Sequence, residues 1–115
     1  MESLDRTFVA LSDPTRRAIL DALAEGEKTV NALAEPLPIS QPAVSRHIKV
    51  LLEAGLIVQR VDGARRPCAL SPEGLALMER WAADLRRRMS ARYDKLDAVL
   101  AAMPSEKEKG DEPEN

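Results

Sequence analysis

The first part of the chain repeats apolar residues at spacings of three and four, which is typical of amphipathic helices. Leu4, Phe8 and Leu11 predict a first helix over residues 4–11. Asp13 and Pro14 mark the start of a second helix that ends near residue 24. Aspartate caps a helix with its carboxylate, and proline is tolerated in the first turn because no N–H donor is needed there. The pattern therefore predicts two short helices separated by a tight turn.

Two more helices are predicted between residues 29 and 55. The shorter one begins at Thr29 and ends before Pro36, because proline cannot continue a helix. The longer one begins at Ser40, whose hydroxyl can cap it, and ends at Gly55. The apolar stripe of this longer helix consists of Val44, Ile48 and Leu51.

The pattern changes to that of a β-hairpin after residue 55. Residues 56–61 are rich in β-branched side chains and predict a strand. Asp62 and Gly63 favour a two-residue turn, because both tolerate positive φ. Residues 66–70 return as the second strand, and Pro67 indicates that this strand begins late or lies at a sheet edge.

A long final helix is predicted from residues 71–74 to Met103. Its seam positions alternate spacings of four and three, as in a coiled coil. They are Met78, Ala82, Leu85, Met89, Arg92, Leu96, Val99 and Met103, of which Arg92 is the charged interruption. The seam forms either an intramolecular core or a dimer interface. We favour the dimer interface, because the helix is longer than a small domain can cover, and we expect Trp81 to anchor it.

The composition fits a folded domain over residues 1–103, followed by an acidic tail over residues 104–115. Hydrophobic content is 44%, which argues against wholesale disorder. The tail carries two lysines and five acids and is expected to be disordered. The whole chain has a net charge of −2, whereas residues 40–70 carry five basic and two acidic side chains. That local excess of positive charge suits a surface that meets phosphates.

Several classes of function are disfavoured by what the sequence lacks. The single cysteine, Cys68, excludes an intramolecular disulfide and a cysteine metal cluster within one chain. No signal peptide and no apolar stretch of membrane-spanning length is visible, so we expect a cytoplasmic protein with no membrane partner. No glycine-rich phosphate loop or nucleophile elbow is visible either, so no enzyme activity, catalytic residue or cofactor is expected.

Two single residues leave alternatives open. Cys68 is either a structural strand residue or a redox-sensitive thiolate favoured by the nearby Arg65 and Arg66. The redox role would need a second cysteine from another molecule. His47 is interpreted as partly buried or touching a phosphate, because no other His or Cys lies at the spacing of a metal site.

The order of elements predicts a helix-turn-helix unit followed by a basic hairpin, or wing. If the apolar stripe faces the core, residues 40–55 form a recognition helix with a polar outer face. Arginine can bind guanine through paired hydrogen bonds and glutamine can read adenine in the DNA major groove. An ordinary solvated face is the alternative, and the neighbouring short helix and hairpin argue against it. The expected DNA-binding residues are Ser40, Gln41, Pro42, Ser45, Arg46, His47, Lys49, Arg65 and Arg66.

Three segments resemble the ArsR family of winged-helix repressors, namely ALSDPTRRAIL at 10–20, ISQPAVSRHIKVL at 39–51 and EAGLI at 53–57. The resemblance covers about residues 4–100. It implies a mainly α fold, a winged helix-turn-helix with a two-stranded β-hairpin wing and a long terminal dimerisation helix. It also implies a homodimer, joined through its first and last helices, that binds a palindromic operator in double-stranded DNA and usually represses. The expected dimer-interface residues are Leu4, Phe8, Met78, Trp81, Leu85, Met89 and Leu96.

The chain departs from the metal-sensing members of that family. Classical members carry a cysteine pair on the helix before the recognition helix, where residues 29–35 have none. Others bind metal with histidine and carboxylates on the last helix, and residues 71–103 contain no histidine. We therefore expect no metal site and a member of the non-metal-sensing branch, with its inducer left open. The alternatives are a winged-helix protein–protein interaction module and a redox-responsive repressor that uses Cys68.

Overall fold

The structure is a computed structural model that describes residues 2–103. The elements are α1 (Glu2–Leu11), α2 (Pro14–Leu23), β1 (Lys28–Thr29), α3 (Val30–Ala34), α4 (Gln41–Glu53), β2 (Ile57–Gln59), β3 (Pro67–Leu70) and α5 (Ala76–Ala101). The predicted mainly α fold is confirmed. The described residues divide into two compact units at the boundary between Glu79 and Arg80. The predicted tail over residues 104–115 lies outside the described residues, and the single domain over residues 1–103 stays a prediction.

Local capping explains why three of the helices begin where the sequence predicts. The side chains of Asp13, Thr29 and Ser40 each accept a hydrogen bond from the backbone N–H three residues further on, at 3.0, 3.2 and 3.3 Å. Each cap satisfies one of the N–H groups that a helix start leaves without an intrahelical partner. Helix α4 ends ahead of Gly55, whose φ of +76° is left-handed and therefore favours glycine.

The strands form an antiparallel sheet in the order β1-β3-β2. The predicted hairpin is confirmed as β2 paired with β3, with Gln59 opposite Cys68. Strand β1 adds a third strand, with Lys28 opposite Cys68 and Thr29 opposite Pro67. Strand β3 begins late, at Pro67, as predicted, but it lies in the centre of the sheet and not at an edge. Pro67 is tolerated there because it is the first residue of its strand.

The core of the first unit is built from aliphatic side chains on α1 to α4 and on the hairpin. Its buried members are Ala10, Ile19, Leu23, Leu33, Val44, Ile48, Leu51, Leu56, Ile57 and Cys68. The predicted stripe of α4 belongs to this core, with exposed fractions of 0%, 3% and 0% for Val44, Ile48 and Leu51. This burial fixes which face of α4 points outward.

Helix α5 begins at Ala76, whereas the sequence predicted a start at residues 71–74. Those residues form a turn instead, in which the N–H of Gly74 donates to the carbonyl oxygen of Ser71 at 3.0 Å. A side chain at position 74 would place its Cβ 2.7 Å from the carbonyl oxygen of Gly55 and 2.8 Å from the Cα of Leu56. Close backbone packing at Gly74 therefore holds this turn against the end of α4.

The residues predicted for a dimer interface differ in how much surface they expose. Trp81, Leu85, Met89 and Leu96 on α5 are 42%, 37%, 47% and 52% exposed, and Met78 is half-buried. Phe8 on α1 is 39% exposed. The expectation that Leu4 lies in the dimer interface is corrected. Leu4 is only 4% exposed within the single chain, so it has little surface left for a second copy.

Candidate nucleic-acid interface

Helix α4 presents a polar face to solvent. Its apolar stripe is buried, and the opposite face exposes Gln41, Pro42, Ser45, Arg46 and Lys49. Because burial and exposure alternate at helical spacing, this face follows directly from the sequence pattern.

The hairpin brings basic residues next to this polar face. One groove of about 330 Å³ is lined by Gln41 and Ser45 of α4, by Asn31 of α3, and by Arg65 and Arg66 of the hairpin. A second groove of about 280 Å³ shares Ser45 and Arg66 and adds Lys49. We call these six residues the α4–wing groove. Arg46 is exposed but lines neither groove, and the hydroxyl of Ser40 accepts the capping hydrogen bond of α4.

The tip of the hairpin is closed by its own backbone. Asp62 and Arg65 exchange two N–H to carbonyl hydrogen bonds, each 3.0 Å long. The two turn residues between them are Gly63 and Ala64, and Gly63 has a φ of +64°. The predicted hairpin turn is therefore present but shifted by one residue, because Asp62 pairs with Arg65 and does not adopt a positive φ. The conformation of the tip therefore does not depend on the arginine side chains that it displays.

Arg60 does not line the α4–wing groove, because its side chain pairs with Glu27. Its guanidinium donates two hydrogen bonds to the carboxylate of Glu27, both 2.9 Å long. This pairing lowers the pKa of Glu27 and raises the pKa of Arg60. The positive charge that the sequence counted at Arg60 is therefore largely balanced by a carboxylate 33 residues away along the chain.

His47 is turned toward the start of α2. Its Nδ1 lies 3.1 Å from Nη1 of Arg16 and 3.9 Å from the carboxylate of Asp13, and its side chain is 23% exposed. Arg16 also donates to the carbonyl oxygens of Ala10 and Val9 at 2.8 and 3.0 Å. The partly buried interpretation of His47 is thus confirmed, and its side chain links α4 to the start of α2. A DNA contact at His47 stays a prediction.

Asn31 is a groove residue that the sequence did not single out. It lies one residue inside α3, and its Oδ1 accepts a hydrogen bond from Nε2 of Gln41. The available signal was its place on the short helix before the recognition helix, but the pairing joins side chains ten residues apart.

Cys68 is a structural residue of β3. Its side chain is fully buried, and its sulfur lies 3.4 Å from Nε2 of Gln59. Burial raises the pKa of the Cys68 thiol, which disfavours the thiolate. Burial and the raised pKa favour the structural interpretation of Cys68 over the redox-responsive alternative.

Two further findings concern residues 2–103 only. Within that range, no three His, Cys, Asp or Glu side chains come together as a group that could hold a metal ion. None of the helices described there combines the length and hydropathy needed to cross a membrane.

The short helix α3, the helix α4 and the β2–β3 hairpin define a winged helix-turn-helix domain. A model for a helix-turn-helix domain matches residues 11–60. The chain is 51% identical over 76 residues to the HTH-type transcriptional regulator Rv2034 of Mycobacterium tuberculosis, covering 66% of this chain and 71% of that protein. It is 33% identical over 106 residues to the arsenical resistance operon repressor of Escherichia coli K12, covering 90% and 87%.

Among solved structures, the fold is similar to that of the homodimeric winged helix-turn-helix DNA-binding domain Mb0332 from Mycobacterium bovis. The TM-score is 0.61 at 25% identity, and the match covers 79% of this chain and 84% of that one. The chain belongs to the ArsR family of winged helix-turn-helix transcriptional regulators.

Proposed function

We propose that the protein is a homodimeric, sequence-specific regulator that represses transcription by occupying a palindromic operator in double-stranded DNA. The observation that carries this proposal is the α4–wing groove, where polar residues of an exposed helix face lie beside two arginines of the wing. Helix α4 has the dimensions of a reading element for the major groove, and the wing supplies cations for the flanking phosphates.

The residues of this surface divide into two roles. Gln41, Ser45 and Arg46 are proposed to meet base edges, because their side chains carry the donors and acceptors that distinguish base pairs. Lys49, Arg65 and Arg66 are proposed to meet phosphates, which position the protein without reading sequence. Ser40 and Pro42 lie at the start of α4 and are proposed to approach the phosphate backbone of the DNA.

The partner in the proposed dimer is a second copy of this chain, joined through α5. Leu85, Met89 and Leu96 belong to the predicted seam, whose positions alternate spacings of four and three, and all three are exposed in the single chain. An exposed apolar seam of this length is costly in water and is covered when two copies pair. The Mycobacterium bovis domain of similar fold is itself homodimeric. We propose that the dimer acts in the cytoplasm, with no membrane partner.

Selection of bound duplexes from random DNA tests the function directly. We expect an enriched inverted repeat whose half-site centres lie about one helical turn, or roughly 34 Å, apart. Binding to protein partners with no enriched DNA sequence at low salt would refute the regulator and favour an interaction module.

The dimer has its own test in the seam. Replacing Leu85 and Leu96 together by glutamate should shift the protein to monomer in sedimentation and abolish binding to the full repeat. Ala91→Glu together with Ala98→Glu adds the same charge at two exposed positions off the seam and serves as the control. A double variant that stays dimeric would exclude this seam as the interface.

A further inference from the structure

We propose that Asn31 positions Gln41 for base reading, and so sets the sequence preference of α4 at one base pair. This inference rests on the proposed function and concerns one contact within the α4–wing groove. Nε2 of Gln41 donates to Oδ1 of Asn31, and both side chains are exposed in the same groove. The contact is thus made at the surface offered to DNA and not in the core.

The backbone at Asn31 is held in place by the cap and the packing of α3. Thr29 caps α3 through the N–H of Ala32, which sets the backbone on both sides of Asn31. Leu33, two residues later, is 3% exposed and anchors the short helix in the core. A hydrogen bond from Asn31 can therefore restrict Gln41, which would otherwise sample many side-chain conformations at the first position of α4.

The bond leaves Gln41 with a defined pair of free groups. It uses one N–H of the Gln41 amide and leaves the other N–H and the amide oxygen. A donor and an acceptor on one amide match N7 and the N6 amino group of adenine in the major groove. Residues at the N-terminus of a recognition helix contact base edges, and Gln41 is the first residue of α4. The geometry therefore favours an adenine partner for Gln41, with Asn31 selecting the orientation of its amide.

The test is a comparison of base preferences, since a merely structural role would leave those preferences unchanged. A site selected by the wild-type protein is varied at each base pair, and equilibrium binding is measured for wild type, Gln41→Ala, Asn31→Ala and the double variant. Gln41→Ala should flatten the preference at one base pair, a loss of about fivefold or more. Asn31→Ala should flatten the same base pair and no other, and should add nothing to Gln41→Ala in the double variant.

Asn31→Asp provides the conservative rescue. It keeps an oxygen that accepts from Gln41, so it should retain the preference at that base pair while its charge weakens binding to every duplex alike. Equal weakening of all duplexes by Asn31→Ala, relaxation at a different base pair, or full additivity with Gln41→Ala would overturn the positioning role. So would a selected site whose preferences survive in Gln41→Ala. If the wild-type protein selects no site at all, the proposed function fails first.

Discussion

Replacing Arg65 and Arg66 together by alanine should flatten the salt dependence of DNA binding. Both residues line the α4–wing groove beside Gln41 and Ser45. Phosphate contacts release counterions, so each contact steepens the fall of affinity with salt. Because backbone hydrogen bonds between Asp62 and Arg65 close the wing tip, the double variant should keep the shape of the hairpin.

The expected magnitude follows from the number of charges removed. Two arginines in each protomer of a dimer give up to four phosphate contacts, and at about 0.9 per contact the slope of log affinity against log salt should fall by up to about 3.6. Between roughly 50 and 200 mM salt, the wild-type protein would then lose about a hundredfold more affinity than the variant.

Fluorescence anisotropy with one fixed duplex across that salt range measures the slope. The matched control is Glu27→Gln with Arg60→Gln, which removes a paired arginine and its carboxylate from the same hairpin region without changing the net charge. The control should keep the wild-type slope. A dimeric, folded Arg65→Ala and Arg66→Ala variant with an unchanged slope would remove the wing from the DNA-binding surface.

Three further predictions concern single positions. Arg46→Ala should weaken binding to the preferred site by about 1–3 kcal/mol and relax preference at one base pair, whereas equal losses on all duplexes would assign Arg46 to phosphate. Gly74→Ala should lower the free energy of unfolding in urea by about 1–3 kcal/mol, since its Cβ would lie 2.7 Å from the carbonyl oxygen of Gly55, and an unchanged midpoint would contradict this. The hydrogen bond from the backbone N–H of Arg16 holds the pKa of Asp13 below its ordinary value of 3.8. Ionised Asp13 therefore adds stability above pH 3.8, and this stability is lost as the pH falls through the lower pKa of the folded protein. The difference in unfolding free energy between wild type and Asp13→Asn should therefore shrink on acidification. A difference that stays constant with pH would contradict this.

The local elements were accessible from sequence because their signals lie within a few residues. Caps at Asp13, Thr29 and Ser40 each use a side chain and an N–H only three positions apart. The stripe of α4 was predictable for the same reason, since helical periodicity determines which side chains share a face. Once that stripe is buried, the polar face offered to DNA follows.

The sheet contains two features that the local sequence pattern could not predict. Strand β1 has two residues, too few for an alternating pattern, and it exists because Lys28 and Thr29 pair with Cys68 and Pro67 much later in the chain. The same pairing places β3 in the centre of the sheet. Pro67 was compatible with an edge, and only the neighbouring strand decided otherwise.

The candidate site divides in the same way. The residue types on α4 and the basic hairpin were visible in the sequence, and with the family resemblance they predicted DNA binding. Only the tertiary structure paired Arg60 with Glu27, turned His47 toward Arg16 and set Asn31 against Gln41. Helix periodicity and capping are determined by neighbours along the chain, so the sequence by itself determined the helices and the polar face. Pairings between distant side chains depend on how the elements pack, so the fold alone decided which of those charges and amides lie in the groove and which are held elsewhere.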